Sequence, residues 1–220
     1  MKKLKVKFCG MKDEDTIEYA LELGADYLGF IVDYPQSPRN NSFNEFCKKA
    51  ERLRKTNSGK YKIVAVCVDM PTSNIENLIK DDLAQIIQLH GKENISVCRR
   101  VKKRTETWKA VSGKNNLGSE VILGIASVVD KILVDSGTAE EKASGKSGFY
   151  NNHELYNLLV QRGISTILSG GINANNVKFY LKNFNPSIID ISSGIESSPG
   201  VKSRKKMKEF MDMAVYLNRD

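Results

Sequence analysis

The chain has 220 residues, 40% of them hydrophobic and 27% charged, which is enough to bury one sizeable core and too apolar for a disordered or fibrous protein. Its formal charge of +8 suits anionic partners, whether nucleic acid, acidic membrane or phosphorylated metabolites, and does not choose among them. No apolar run reaches roughly 18 residues, and the basic start "MKKLKVKFCG" leads into acidic residues rather than a signal peptide's apolar region, so a soluble, cytoplasmic protein without a membrane partner is expected. Cys9, Cys47, Cys67 and Cys98 form no C-x-x-C pair, and His90 and His153 complete no metal-binding spacing. Neither a disulfide framework nor a structural zinc site is predicted.

Strand-like and helix-like stretches alternate from end to end. The first strand, 4–9, places Lys5, Lys7 and Cys9 on one face and Leu4, Val6 and Phe8 on the other. The apolar set should pack on helices, which turns the lysines and the thiol inward; buried cations are costly unless paired, so this face favours an anionic or acidic ligand. A helix over 13–23, ended by Gly24, leads to a strand at 26–32 and then to Arg39 in "YPQSPR". A helix at 43–55 and a strand at 62–69 follow, and "PTSNIENLIK" offers Ser73 as N-cap, with Glu76 at capping-box spacing, for a helix over 73–81. The strand at 83–90 runs into His90 in "IIQLHG", before a helix at 93–104. A strand at 106–111 and a helix at 116–127 precede the strand 130–135, which ends on Asp135 in "KILVDSG". A helix at 152–162 leads to the strand 165–169, closed by Gly170 and Gly171 in "ILSGGI". "GINANNVKFYLKNF" then starts a helix around Asn173, over 173–183. The strand 187–192 gives way to Ser192, Ser193 and Gly194 in "IDISSGIE", and the last helix spans 203–217.

Strands joined by helical crossovers form a parallel sheet, and eight such units in 220 residues fit a closed (β/α)8 TIM barrel occupying the whole chain, 1–220, as one domain. A doubly wound open sheet is the competing architecture. In either, ligands bind beyond the carboxyl ends of the strands, where Cys9, Arg39, His90 and Asp135 fall. Glycines and serines after the last two strands would let backbone N–H groups approach a phosphate, so Gly170, Gly171, Ser192, Ser193 and Gly194 are candidate phosphate-binding residues. One such loop is explained as well by a tight turn; two adjacent ones favour phosphate.

The segments "KVKFCG", "GADYLGFI" with "SPR", "QLHG", "ILSGGINANNV" and "DISSGIESSPGVK" occur in an order and spacing that resembles phosphoribosylanthranilate isomerase, over roughly residues 4 to 217. The resemblance implies an aldose-ketose isomerase of tryptophan biosynthesis. It would convert N-(5-phosphoribosyl)anthranilate to 1-(2-carboxyphenylamino)-1-deoxyribulose 5-phosphate with neither metal nor organic cofactor, as a monomer or homodimer. By the same resemblance Cys9 is the general base, Asp135 the general acid and Arg39 the partner of the anthranilate carboxylate. His90 either contacts substrate or holds a polar network. A free thiol titrates near about 8.5, and Lys7, two residues before Cys9 on the same face, is expected to bind near the substrate and lower that value.

The loop "DSGTAEEKASGKSGFYNN" departs from the family, with Tyr150 and Asn151 where an Asp-Trp pair is usual, and a mobile lid is expected over about 136 to 149. Rival readings are another phosphosugar isomerase or epimerase on the same barrel and an RNA-binding module using "CRRVKKR" and "KSRKKMK". The basic runs lack the interleaved aromatics that single-stranded nucleic acid needs, so nucleic acid is not the expected primary partner. Lys109 in "TETWKAV" is a single strand-end lysine, too little for an indole-forming synthase.

Overall fold

Period-two alternation sorts the chain into layers. In the computed structural model, which describes residues 4–56, 59–111, 118–135 and 148–217, β1 (Lys5–Cys9) turns Val6 and Phe8 into an apolar layer shared with helices. Lys7 and Cys9 face the other way. Each strand is followed by a helix: α1 (Glu14–Glu22), β2 (Tyr27–Val32), α2 (Phe43–Thr56), β3 (Lys62–Cys67), α3 (Thr72–Lys80), β4 (Ile86–Leu89) and α4 (Ile95–Lys102). The second half repeats the pattern with β5 (Glu106–Val111), α5 (Ser119–Ala126), β6 (Lys131–Asp135), α6 (Gly148–Gln161), β7 (Thr166–Ser169), α7 (Val177–Phe184), β8 (Ile188–Ile191) and α8 (Arg204–Leu217).

These eight strands are parallel and pair in chain order. The cylinder closes because β1 bonds both to β2, with Cys9 opposite Gly29, and to β8, with Lys7 opposite Asp190. Val64, Ile86, Leu133, Ile167 and Ile188 fill the interior with Tyr27 and Trp108, so the barrel is a packed core and not a pore. A second, larger core lies between strands and helices. Two additions decorate the carboxyl end: the short strand Asn40–Asn41 on the edge of β2, and a hairpin pairing Glu196–Ser198 with Val201–Lys202. Among the described residues no helix is long and apolar enough to cross a membrane.

Local signals were redistributed in three places. The capping box expected at Ser73 and Glu76 is not formed: α3 starts at Thr72 behind Pro71, whose carbonyl takes the first N–H groups and whose fixed φ sets the entry. A reciprocal box forms instead before α2, where Ser42 N–H donates to Glu45 Oε2 and Glu45 N–H to Ser42 Oγ. The helix expected from Asn173 begins at Val177, because Asn173 and Asn176 use their side chains to cap backbone N–H groups in a turn. Lys5, expected inside the barrel, is exposed at the amino-terminal rim with its ammonium 5.8 Å from the Tyr27 ring centroid. The lid expected at 136–149 lies, up to residue 147, outside the described residues.

At that rim Trp108 is fully buried, edge-on to Tyr27 at 5.1 Å, and donates its indole N–H to Glu106 at 3.0 Å. Glu106 also accepts from Lys62 at 2.8 Å and Lys131 at 3.1 Å. Burial alone would raise its pKa, but these three donors pull it down to about 2. Its folded value lies below the unfolded one, so its stabilisation is complete above the unfolded carboxylate pKa of about 4.3 and is lost as pH falls through about 2. Discounted for solvent screening, Glu106→Gln should lower Tm by about 2–6 °C at neutral pH. The deficit should shrink on acidification; equal deficits at about pH 7 and pH 3 in thermal melts would contradict the assignment.

Candidate active site

Strand β1 delivers Cys9 to the carboxyl end of the barrel, and Gly10 turns the chain away with φ +74°. Below the thiol, Lys7 is completely buried and donates to Asp190 Oδ1 on β8 at 2.8 Å. Ser169 Oγ lies 3.5 Å from the other Asp190 oxygen. Gly29, opposite Cys9 on β2, is what makes room: a Cβ there would sit 2.9 Å from both Cys9 Sγ and Lys7 Nζ. Burial pushes the Cys9 thiol up and the Asp190 carboxylate adds to the rise, while Lys7 pulls it down. Lys7 thus acts in the expected direction but is outweighed, and its ammonium is directed at Asp190 and not at open space. Burial alone would lower the pKa of Lys7, yet Asp190 and Cys9 together raise it.

Asp135 ends β6 in register with Ser169 on β7. His90, just beyond β4, places Nε2 3.7 Å from Asp135 Oδ2, and its Nδ1 lies 2.8 Å from Gln88 Nε2. His90 therefore both lines the cavity and holds a polar network.

Arg39 is set by the end of its loop, where Asn40 Oδ1 accepts from Tyr34 N–H at 2.6 Å and the buried Asn41 donates to the Met11 carbonyl at 3.0 Å. Gly10 packs beneath the arginine stem; a Cβ would meet Arg39 Cδ at 2.5 Å. The guanidinium grips Glu196 in a bidentate pair, Nε at 2.7 Å and Nη2 at 2.6 Å. Glu196 also accepts from the buried Lys202 at 2.8 Å. Burial would raise the Glu196 pKa, but Arg39 and Lys202 hold it below the ordinary carboxylate value.

Gly170 and Gly171 adopt consecutive positive φ angles of +94° and +65° after β7. Beyond β8 the chain makes one turn of 3₁₀ helix, Ser193–Ile195, in which Gly194 meets the Ile172 carbonyl so closely that a Cβ would lie 1.8 Å from its oxygen. The glycines thus shape two abutting loops, and Ser192 and Ser193 present the polar groups. Cys9, Arg39, His90, Asp135, Ser192 and Ser193 all line one cavity of about 420 Å³, together with Asp190. A larger cavity of about 750 Å³ lies between β5, α4 and α5 and is lined by none of the strand-end residues Cys9, Arg39, His90 or Asp135. Its Lys109 ammonium is held by Glu93 at 3.1 Å and by the carbonyls of Leu89, Gly91 and Ala110.

Sequence reasoning missed Gly29, Gln88, Asp190, Glu196 and Lys202. A glycine inside the apolar strand "YLGFIV" and an aspartate inside "IIDI" were the available signals for two of them, since each breaks a pattern that packing alone would keep. Among the described residues no group of histidines, cysteines or carboxylates could hold a metal ion.

Residues 6–213 match the family model for N-(5'phosphoribosyl)anthranilate (PRA) isomerase. An N-(5'-phosphoribosyl)anthranilate isomerase of Sinorhizobium fredii is 35% identical over 213 residues, 96% of this chain and 92% of that protein. The crystal structure of the Thermotoga maritima phosphoribosyl anthranilate isomerase superposes with a TM-score of 0.80 at 31% identity, covering 97% of this chain and 99% of that one. A phosphoribosyl anthranilate isomerase solved in complex with reduced 1-(o-carboxyphenylamino)-1-deoxyribulose 5-phosphate gives 0.75 at 28% identity, covering 97% and 99%. With a barrel, a strand-end thiol and carboxylate, and near full-length similarity all in agreement, the chain belongs to the N-(5'-phosphoribosyl)anthranilate isomerase family.

Proposed function

We propose that this cavity isomerises N-(5'-phosphoribosyl)anthranilate to 1-(2-carboxyphenylamino)-1-deoxyribulose 5-phosphate, the Amadori rearrangement of tryptophan biosynthesis, in the cytoplasm. The observation that supports it best is that a thiol from the first strand and a carboxylate from the sixth line one cavity flanked by an arginine and by paired serines. Asp135, as the acid, gives its proton to the ribose ring oxygen while the bond from that oxygen to C1 breaks, leaving an iminium between C1 and nitrogen. Cys9, as the thiolate, then removes the proton on C2, and the electron pair neutralises the iminium to form an enolamine. The enolamine takes a proton at C1 and releases one from the C2 hydroxyl to become the ketone.

The remaining side chains hold the substrate's two anionic ends. Arg39 offers a planar guanidinium to the anthranilate carboxylate, a pairing that suits its fork of donors. Ser192, Ser193 and the backbone shaped by Gly170, Gly171 and Gly194 receive the phosphate. Lys7 stays beneath Cys9 and acts on the base rather than touching substrate, which revises its expected binding role.

Loss of substrate fluorescence, followed in the presence of a chelator because each step above is a proton transfer, should show kcat reduced by about 10²- to 10⁴-fold in Cys9→Ser and in Asp135→Asn. Near-normal turnover by both variants would refute the assignment. Because burial and the Asp190 carboxylate raise the Cys9 pKa, the rate of Cys9 alkylation should climb with pH past the ordinary thiol value of about 8.5. Lys7→Met removes the cation that favours the thiolate, so that climb should move to still higher pH. Alkylation is to be measured in a Cys47→Ser background; an unmoved profile would exclude Lys7 from tuning the base.

A further inference from the structure

Arg39 reaches the cavity with half of its fork already occupied. Glu196 takes Nε and Nη2, so the edge left for a ligand is the one carrying Nη1. The Glu196 side chain is only 4% exposed and Lys202 is 0% exposed, so neither offers itself to substrate as Arg39, at 21%, does. Lys202 lies opposite Glu196 in the hairpin and also donates to the Ser192 carbonyl at 3.1 Å, while Lys206 holds the Glu196 carbonyl at 2.7 Å. Gly200, at φ +84°, lets the hairpin tip approach the Pro38 carbonyl; a Cβ would come within 2.6 Å. The hairpin therefore meets the arginine loop at both Pro38 and Arg39.

We propose that Glu196 is a positioning residue that fixes which edge of the Arg39 guanidinium meets the substrate carboxylate. Two cations share one carboxylate in this cluster, so Arg39, Glu196 and Lys202 together carry one surplus positive charge. A simple Arg–Glu pair would be neutral and would attract a second carboxylate weakly; the buried Lys202 lets Glu196 orient the guanidinium without cancelling its charge. A guanidinium held in its bound rotamer also avoids the ordering cost that a free arginine meets on binding. The proposal rests on the reading that Arg39 takes the anthranilate carboxylate.

Steady-state kinetics on Glu196→Gln, Arg39→Met and the double variant test it, with Tm measured alongside. Glu196→Gln should raise KM by about tenfold while changing kcat by less than about threefold, the pattern of lost ground-state and transition-state binding alike. Added to Arg39→Met, it should change KM by less than about twofold, because it acts through the arginine. Glu196→Asp keeps the charge beside Lys202 but withdraws the carboxylate by one methylene. It should raise KM in the same way and provides a folded variant should Glu196→Gln not be one. A fall in KM on losing the Glu196 carboxylate would show competition with substrate for the guanidinium and would overturn the proposal, as would effects on KM that multiply with Arg39→Met, or a loss of kcat and Tm with KM unmoved. If Arg39→Met itself leaves KM unchanged, the assignment of the carboxylate to Arg39 fails and the proposal falls with it.

Discussion

A lysine ammonium sealed from water is tolerable only against an anion, and Lys7 meets that condition by pairing with Asp190 at 2.8 Å inside the barrel. The two residues belong to the first and the last strand, so one pair ties the seam at which the sheet closes. Breaking it from either side would leave an uncompensated buried charge, at a cost of about 3–5 kcal/mol. The Cys9 thiol stands next to this pair, and its protonation responds to both members. Closure of the barrel and the basicity of the Cys9 thiol therefore rest on the same contact.

Charge elsewhere in the molecule follows a similar pattern. Lys109 is matched to Glu93, Glu106 to Lys62 and Lys131, and Glu196 to Arg39 and Lys202. Of these, the cluster around Glu196 keeps a surplus cation beside the cavity, where a doubly anionic substrate would meet it. The basic run Arg99, Arg100, Lys102 and Lys103 lies instead at the carboxyl end of α4, where cations complement the helix dipole, and Lys102 is paired with Asp130. Net charge alone is thus a poor guide to the site; the position of each unmatched charge is what selects a ligand.

The barrel was legible because its signal is redundant. Eight alternations of apolar runs and amphipathic stretches leave little freedom in topology, and a misplaced N-cap at Ser73 does not disturb them. The strand-end residues Cys9, Arg39, His90 and Asp135 were legible for the same reason, since a parallel barrel collects all such ends at one mouth. Glu196, Lys202 and Asp190 act through contacts with residues far away in the chain, and no local pattern announces such partners. The roles of Lys7 and Gly29 likewise needed the register of three strands, β1, β2 and β8, to become visible.

Burial of Cys9 has a consequence beyond rate. Peroxides and other oxidants attack thiolates, and a thiol kept protonated by its surroundings reacts with them slowly. The same buried setting that keeps the Cys9 thiol protonated thus shields it from conversion to sulfenic acid. Cys67 and Cys98, buried and with their thiols likewise pushed up, gain the same protection. The chain can keep Cys9, Cys67 and Cys98 unpaired and depend on desolvation rather than on cross-linking for their durability toward oxidants.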